Sequence, residues 1–152
     1  MTPMHCRDDQ QTNSRRAAPV LALALITACA HAAEPVQPLP LKRGFYVASD
    51  TPCAQASNAT LLLLRRNGIG GARDFCEFLR IEPVDATRFR VTESCADFQG
   101  GDSETLTVVY HIPNDTRFES TRDDGWRHSA RFCAQSTLPP DWRDNDIRDL
   151  IE

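Results

Sequence analysis

Apolar and polar residues alternate in short runs along most of this chain, and turn-forming residues interrupt the runs roughly every ten positions. That rhythm belongs to strands joined by tight connections, whereas helices repeat their apolar positions every three or four residues. Gly44-Phe45-Tyr46-Val47 is the first run and Thr60 to Arg66 the second. The leucines of the second would suit a helix, but it is short and runs into Asn67-Gly68-Ile69-Gly70-Gly71, which reads as a hairpin turn. Phe75 to Glu82 follows and stops at Pro83; as a plain strand it sets Cys76, Phe78 and Arg80 on one face and Phe75, Leu79 and Ile81 on the other. Arg88 to Cys95 alternates most cleanly, with Phe89, Val91, Glu93 and Cys95 opposed to Arg88, Arg90, Thr92 and Ser94. Glu104 to Ile112 is richest in β-branched and aromatic residues, and Thr116 to Thr121 and Trp126 to Ala134 complete the series. The pattern predicts an all-β domain over residues 44–152: an antiparallel meander of six or seven strands forming a small barrel or sandwich.

The two ends depart from this pattern. Residues 33–43 are proline-rich and read as a linker, since proline supplies no donor to a sheet interior. After Pro139-Pro140, residues 141–152 predict a short C-terminal helix capped by an Asp. Ile147, Leu150 and Ile151 share a face there, Asp144 pairs with Arg148, and Trp142 and Ile147 are expected to dock on the sheet.

Residues 1–32 read as an export signal. Arg15 and Arg16 precede an apolar run of about a dozen residues, too short to span a bilayer, and Ala30-His31-Ala32 forms a small-residue cleavage site. Ile26-Thr27-Ala28-Cys29 also resembles a bacterial lipobox, in which Cys29 would be acylated. Cleavage after Ala32 gives a free periplasmic or secreted protein; cleavage before Cys29 gives one anchored to the envelope by lipid, the one membrane contact expected.

Export decides the meaning of Cys53, Cys76, Cys95 and Cys133. An even number of cysteines in an oxidising compartment reads as two disulfides. Four cysteines allow three pairings, of which the one joining Cys53 to Cys76 and Cys95 to Cys133 is favoured: the first bond ties a loop to the following hairpin strand, and the second joins two long strands expected to be adjacent in a closing sheet. Separations of 23, 19 and 38 residues lack the close ligand pairs of a zinc site. No metal and no cofactor is expected.

Beyond residue 32 the chain holds 14 basic and 19 acidic residues, a net of −5, and Lys42 is its only lysine. An acidic domain without a basic stripe is a poor match for nucleic acid and a better one for a cationic protein partner. His111 and His128 are isolated from each other in sequence, and the motifs of nucleophilic, metal and phosphate chemistry are absent, so no catalytic residue is assigned. Asp97, Asp102 and Glu104 gather around a glycine turn, and Asp141, Asp144 and Asp146 gather near the C-terminus, in neither place with the spacing of a calcium loop.

A signal or lipobox, one small disulfide-bearing β domain, acidic charge and no catalytic set together resemble the bacterial periplasmic lysozyme inhibitors, over roughly residues 44–135. The resemblance is architectural, and it implies an exported binding protein, not an enzyme, that acts as an inhibitor or immunity-type protein against a cationic cell-wall hydrolase. No inhibitor-loop motif of those families is found. Arg65, Arg66, Asn67 and Arg73 around the glycine-rich turn, with Trp142 in the tail, are the partner-binding candidates. A structural or assembly role in the envelope is the alternative, and a small hydrolase the third reading.

Overall fold

The computed structural model describes residues 37–152. The expected signal sequence, Cys29 and the first part of the linker lie outside the described residues. Eight strands follow one another around a closed antiparallel ring: β1 (Gly44–Ala48), β2 (Leu61–Leu64), β3 (Gly68–Gly70), β4 (Asp74–Pro83), β5 (Arg88–Asp97), β6 (Glu104–Asn114), β7 (Arg117–Thr121) and β8 (Arg127–Phe132). Each strand pairs with its neighbours in sequence, and β8 closes on β1 through Tyr46↔Phe132, Val47↔Arg131 and Ala48↔Ala130. The all-β meander is therefore a barrel, with one strand more than the pattern predicts.

The extra strand is β3, inside the stretch read as a turn. Gly68 and Gly70 are needed because β3 lies against β4 without room for side chains: a Cβ on Gly68 would stand 2.2 Å from the Cys76 carbonyl oxygen, and one on Gly70 would stand 2.5 Å from that of Asp74. The glycines here mark close approach of two backbones, and Ile69 between them is buried in the core.

Alternation fills the barrel from every strand. Tyr46, Leu64, Ile69, Phe78, Val91, Val108, Tyr110, Ile112, Phe118 and Ala130 form one buried cluster. In β4 the register shifts between Phe78, opposite Glu93, and Arg80, opposite Thr92, so Leu79 bulges out. One extra residue reverses the facing that follows it: Ile81, not Arg80, packs against the core, and exposed Arg80 pairs with Glu82 at 2.9 Å. The end of the barrel beneath the β2–β3 and β4–β5 turns is plugged by Leu39 and Leu41, so the stretch read as a linker ends inside the fold.

A second cluster lies outside the ring, over the outward side chains of β1 and β2. Phe45, Val47 and Leu61 are covered there by Ala56 of the β1–β2 connection and by Leu138 and Ile147 of the C-terminal segment. The predicted tail helix docks through Trp142 and Ile147, but it is two single turns, α1 (Pro140–Arg143) and α2 (Arg148–Ile151). Leu150 stays exposed, and Arg148 pairs with Asp146, not Asp144.

The disulfides are Cys53–Cys133 and Cys76–Cys95, which corrects the pairing favoured from sequence. Cys76 lies directly opposite Cys95 in the β4–β5 ladder, with Cα atoms 3.9 Å apart. Cys53 and Cys76 follow each other in sequence but are separated by strands β2 and β3. Closure of the ring instead carries Cys133, just after β8, to the β1–β2 connection that holds Cys53. Arg131 packs beside this bridge, its Nη1 3.0 Å from Cys53 Sγ and its Nη2 donating to the Thr51 carbonyl oxygen at 2.7 Å.

Candidate binding site at the open end of the barrel

The end of the barrel opposite Leu39 and Leu41 is open. Antiparallel order places the β3–β4, β5–β6 and β7–β8 turns together around it. Beneath them is a cavity of about 540 Å³, in the size range of small-molecule pockets. Leu62, Ile69, Leu106, Val108 and Phe118 supply its apolar wall, and the Cys76–Cys95 disulfide lies in that wall. Asp74, Asp97, Asp102 and Glu104 stand around its rim, with Trp126 and Arg122 on the far side.

The inward face of β5 carries an acid into this apolar wall. Glu93 is only 3% exposed, and its Oε1 accepts a hydrogen bond from the buried Tyr110 hydroxyl at 2.7 Å. Burial pushes the Glu93 carboxyl up to about 7, against the opposite pull of the Tyr110 bond and of Arg122. Tyr110 is held well above the usual phenol range, by burial first and by the adjacent Glu93 second. The other carboxyl oxygen, Oε2, faces Cys95 Sγ at 3.9 Å, and a disulfide sulfur has no hydrogen to donate. Glu93, Cys76 and Cys95 lie close enough to suggest a metal triad, but the two sulfurs are bonded to each other and offer no thiolate.

Further polar atoms of the same cavity lack internal partners. Among the described residues, His128 Nε2 and Arg122 Nε are buried with no hydrogen-bond partner, and the Ser120 hydroxyl has only a 3.5 Å approach to the His128 carbonyl oxygen. Burial lowers the His128 pKa against a smaller opposing influence of Asp50, so the ring is neutral near pH 7. Trp126 stacks on His128 with centroids 6.0 Å apart, and the Arg122 guanidinium lies 5.0 Å over the indole while donating to Asp124 at 2.7 Å.

The candidates drawn from sequence do not form one surface. Arg65, Arg66 and Asn67 belong to the β2–β3 turn at the plugged end, whereas Arg73 sits at the mouth, paired with Asp97 at 3.5 Å. Arg65 lies over the Phe75 ring at 4.8 Å, Arg66 donates through Nε to the Glu152 carbonyl oxygen, and Asn67 donates to Glu77 at 3.2 Å. Trp142 is half-buried in the outer cluster. Glu93, Tyr110, Ser120, Arg122, Trp126 and His128 were not picked out as a site from sequence. The one available signal was a glutamate on the apolar face of the cleanest strand, between Val91 and Cys95. The carboxylates Asp97, Asp102 and Glu104, weighed for calcium, do come together, and they do so on the rim of this cavity.

No protein-family model, no curated protein and no solved structure matches this chain.

Proposed function

We propose that this is an exported binding protein that receives its ligand in the open end of the barrel. The observation that carries the reading is a cavity of about 540 Å³ whose apolar wall contains an almost fully buried glutamate with an oxygen that no donor among the described residues satisfies. Buried polar atoms in native proteins are nearly always paired, and a few left over in one concave, apolar site point to a missing partner. Two disulfides suit an oxidising compartment and support export. The same features favour binding over catalysis: among the described residues, Glu93 bonds only to a tyrosine that holds its proton tightly, and His128 Nε2 meets no nucleophile. An assembly role through a sheet edge has less support, because ring closure gives every strand a neighbour on both sides.

The test uses the uncharged fluorophore N-phenyl-1-naphthylamine. Its emission should rise on mixing with the protein, and Leu106→Trp, which fills the cavity, should abolish the rise. Leu79→Trp, on the exposed bulge, should retain it. Equal emission from all three proteins, or none, removes the mouth as a binding site.

Inhibition of a cationic cell-wall hydrolase is a second reading, favoured by the acidic rim at Asp102 and Glu104. It expects the protein to inhibit members of a peptidoglycan-hydrolase panel and Asp102→Asn/Glu104→Gln to lose that inhibition. A panel left fully active disposes of it.

A further inference from the structure

We infer that the ligand of the mouth is an organic cation: a protonated amine or amidine that donates to Glu93, with a flat apolar body lying along Leu106, Val108 and Phe118. This inference rests on the mouth being a binding site and names what occupies it.

The first argument is the hydrogen-bond inventory of the buried acid. A carboxylate offers about four acceptor sites, and Tyr110 fills one of them. Oε2 faces a disulfide sulfur that cannot donate, in a wall otherwise built from Ile69, Leu106, Val108 and Phe118. What is missing is therefore a donor, and a positively charged donor also offsets the cost of keeping the acid ionised away from water. The acid is 97% removed from solvent (3% exposed), so its ionised form requires such a partner within the cavity itself.

The second argument is the balance of charge in the lining. Asp74, Glu93, Asp97, Asp102 and Glu104 are set against one guanidinium, that of Arg122. Arg122 is itself neutralised by Asp124, and His128 is held neutral by burial. Arg73 offsets Asp97 on the outer rim, which leaves Asp74, Asp102 and Glu104 without an ion pair among the described residues. An anion would meet these carboxylates before it reached Arg122 Nε. A cation is drawn inward by the rim and stopped at the one acid on the floor. The partnerless Arg122 Nε and His128 Nε2 remain free to bind an acceptor atom on the ligand's body.

Three ligands of one shape separate the possibilities: tryptamine as the cation, 3-methylindole as the neutral body and indole-3-propionate as the anion. Each is titrated against the full-length exported protein carrying bound N-phenyl-1-naphthylamine, and tryptamine is also titrated directly by calorimetry. Tryptamine should compete about tenfold or more better than 3-methylindole, the difference expected of one charge-assisted hydrogen bond. Glu93→Gln should erase the advantage of tryptamine over 3-methylindole. If Glu93→Gln does not fold, Asp102→Asn/Glu104→Gln supplies the second readout. Both of those groups are exposed, and their loss should shrink the tryptamine advantage at low salt alone. Equal competition by the cation and the neutral compound, tightest binding of the anion, or no competition by any of them overturns the inference and leaves the mouth as a site for other ligands. A fluorophore that never binds, with silent calorimetry, removes both the inference and the binding site beneath it.

Discussion

Tyr110 donates its hydroxyl hydrogen to Glu93 across 2.7 Å inside a barrel whose other interior residues are almost all apolar. The two residues belong to neighbouring strands, β5 and β6. Their contact fixes where the interior of the barrel stops being core and starts being cavity.

Glu93 gives stability a definite pH dependence. Its folded pKa, about 7, lies above the ordinary carboxyl value of 4.5. Its contribution is therefore complete below pH 4.5 and is lost as pH rises through 7, where a buried charge replaces a buried neutral acid. The span corresponds to about 3 kcal/mol. Glu93→Gln keeps the acceptor for Tyr110 and removes the titration, so urea unfolding should show the variant gaining on the native protein between pH 4.5 and pH 8. Parallel stability profiles across that range would refute the assignment.

The phenols make a second, independent prediction. The chain has two tyrosines, Tyr46 and Tyr110, and burial is the main cause that raises both above the ordinary phenol range. Phenolate absorbance should stay absent near pH 10 and appear together with alkaline unfolding, as one transition. A separate ionisation in the folded protein would show that one of the rings is open to water.

Backbone approach at β3 predicts intolerance to the smallest substitution. Gly68→Ala places a Cβ against the Cys76 carbonyl oxygen, whereas a Cβ on Gly71 would meet nothing closer than 3.6 Å. Gly68→Ala should cost about 2 kcal/mol or more, through overpacking that backbone atoms cannot relieve. Gly71→Ala should change stability by about 0.5 kcal/mol or less. Denaturant midpoints of the two variants compare them directly.

The outer cluster predicts a graded response along the tail. Ile147 is buried against Phe45, Val47 and Leu61, whereas Leu150 is 40% exposed. Ile147→Ala should destabilise by about 2–4 kcal/mol and Leu150→Ala by under about 1 kcal/mol. Thermal unfolding of the two variants is the check, and similar losses would mean that the tail docks otherwise.

Much of the barrel was legible because one face of each strand had to be apolar. The alternation Phe89, Val91, Glu93, Cys95 translates directly into the inward face of β5. What failed to read through depends on registers and approaches that periodicity does not encode. The bulge at Leu79 reverses facing with no change in composition, and glycines required by backbone contact look the same as glycines required by a turn. The pairing Cys76–Cys95 was nearly within reach: a hairpin turning over residues 84–87 brings the two cysteines within one position of each other, and the bulge at Leu79 sets them directly opposite. The mouth was not legible, since Glu93, Ser120, Arg122 and His128 lie on β5, on β7, after β7 and on β8, and meet only once the ring has closed.

Ring closure also sets an order in time. Hairpins such as β4–β5 pair residues close in sequence, while the β8–β1 seam must bring Phe132 to Tyr46. Search distance makes the seam the last pairing to form. The bridge spanning 19 residues should therefore oxidise while the sheet is still open, and the bridge spanning 80 residues should wait for the seam. Alkylation trapping during oxidative refolding should collect a species holding Cys76–Cys95 alone. Once the later bridge is in place, the connection after β1 and the residue following β8 are stapled together, so the two seam strands stay tethered to each other even in a chain whose sheet has come apart.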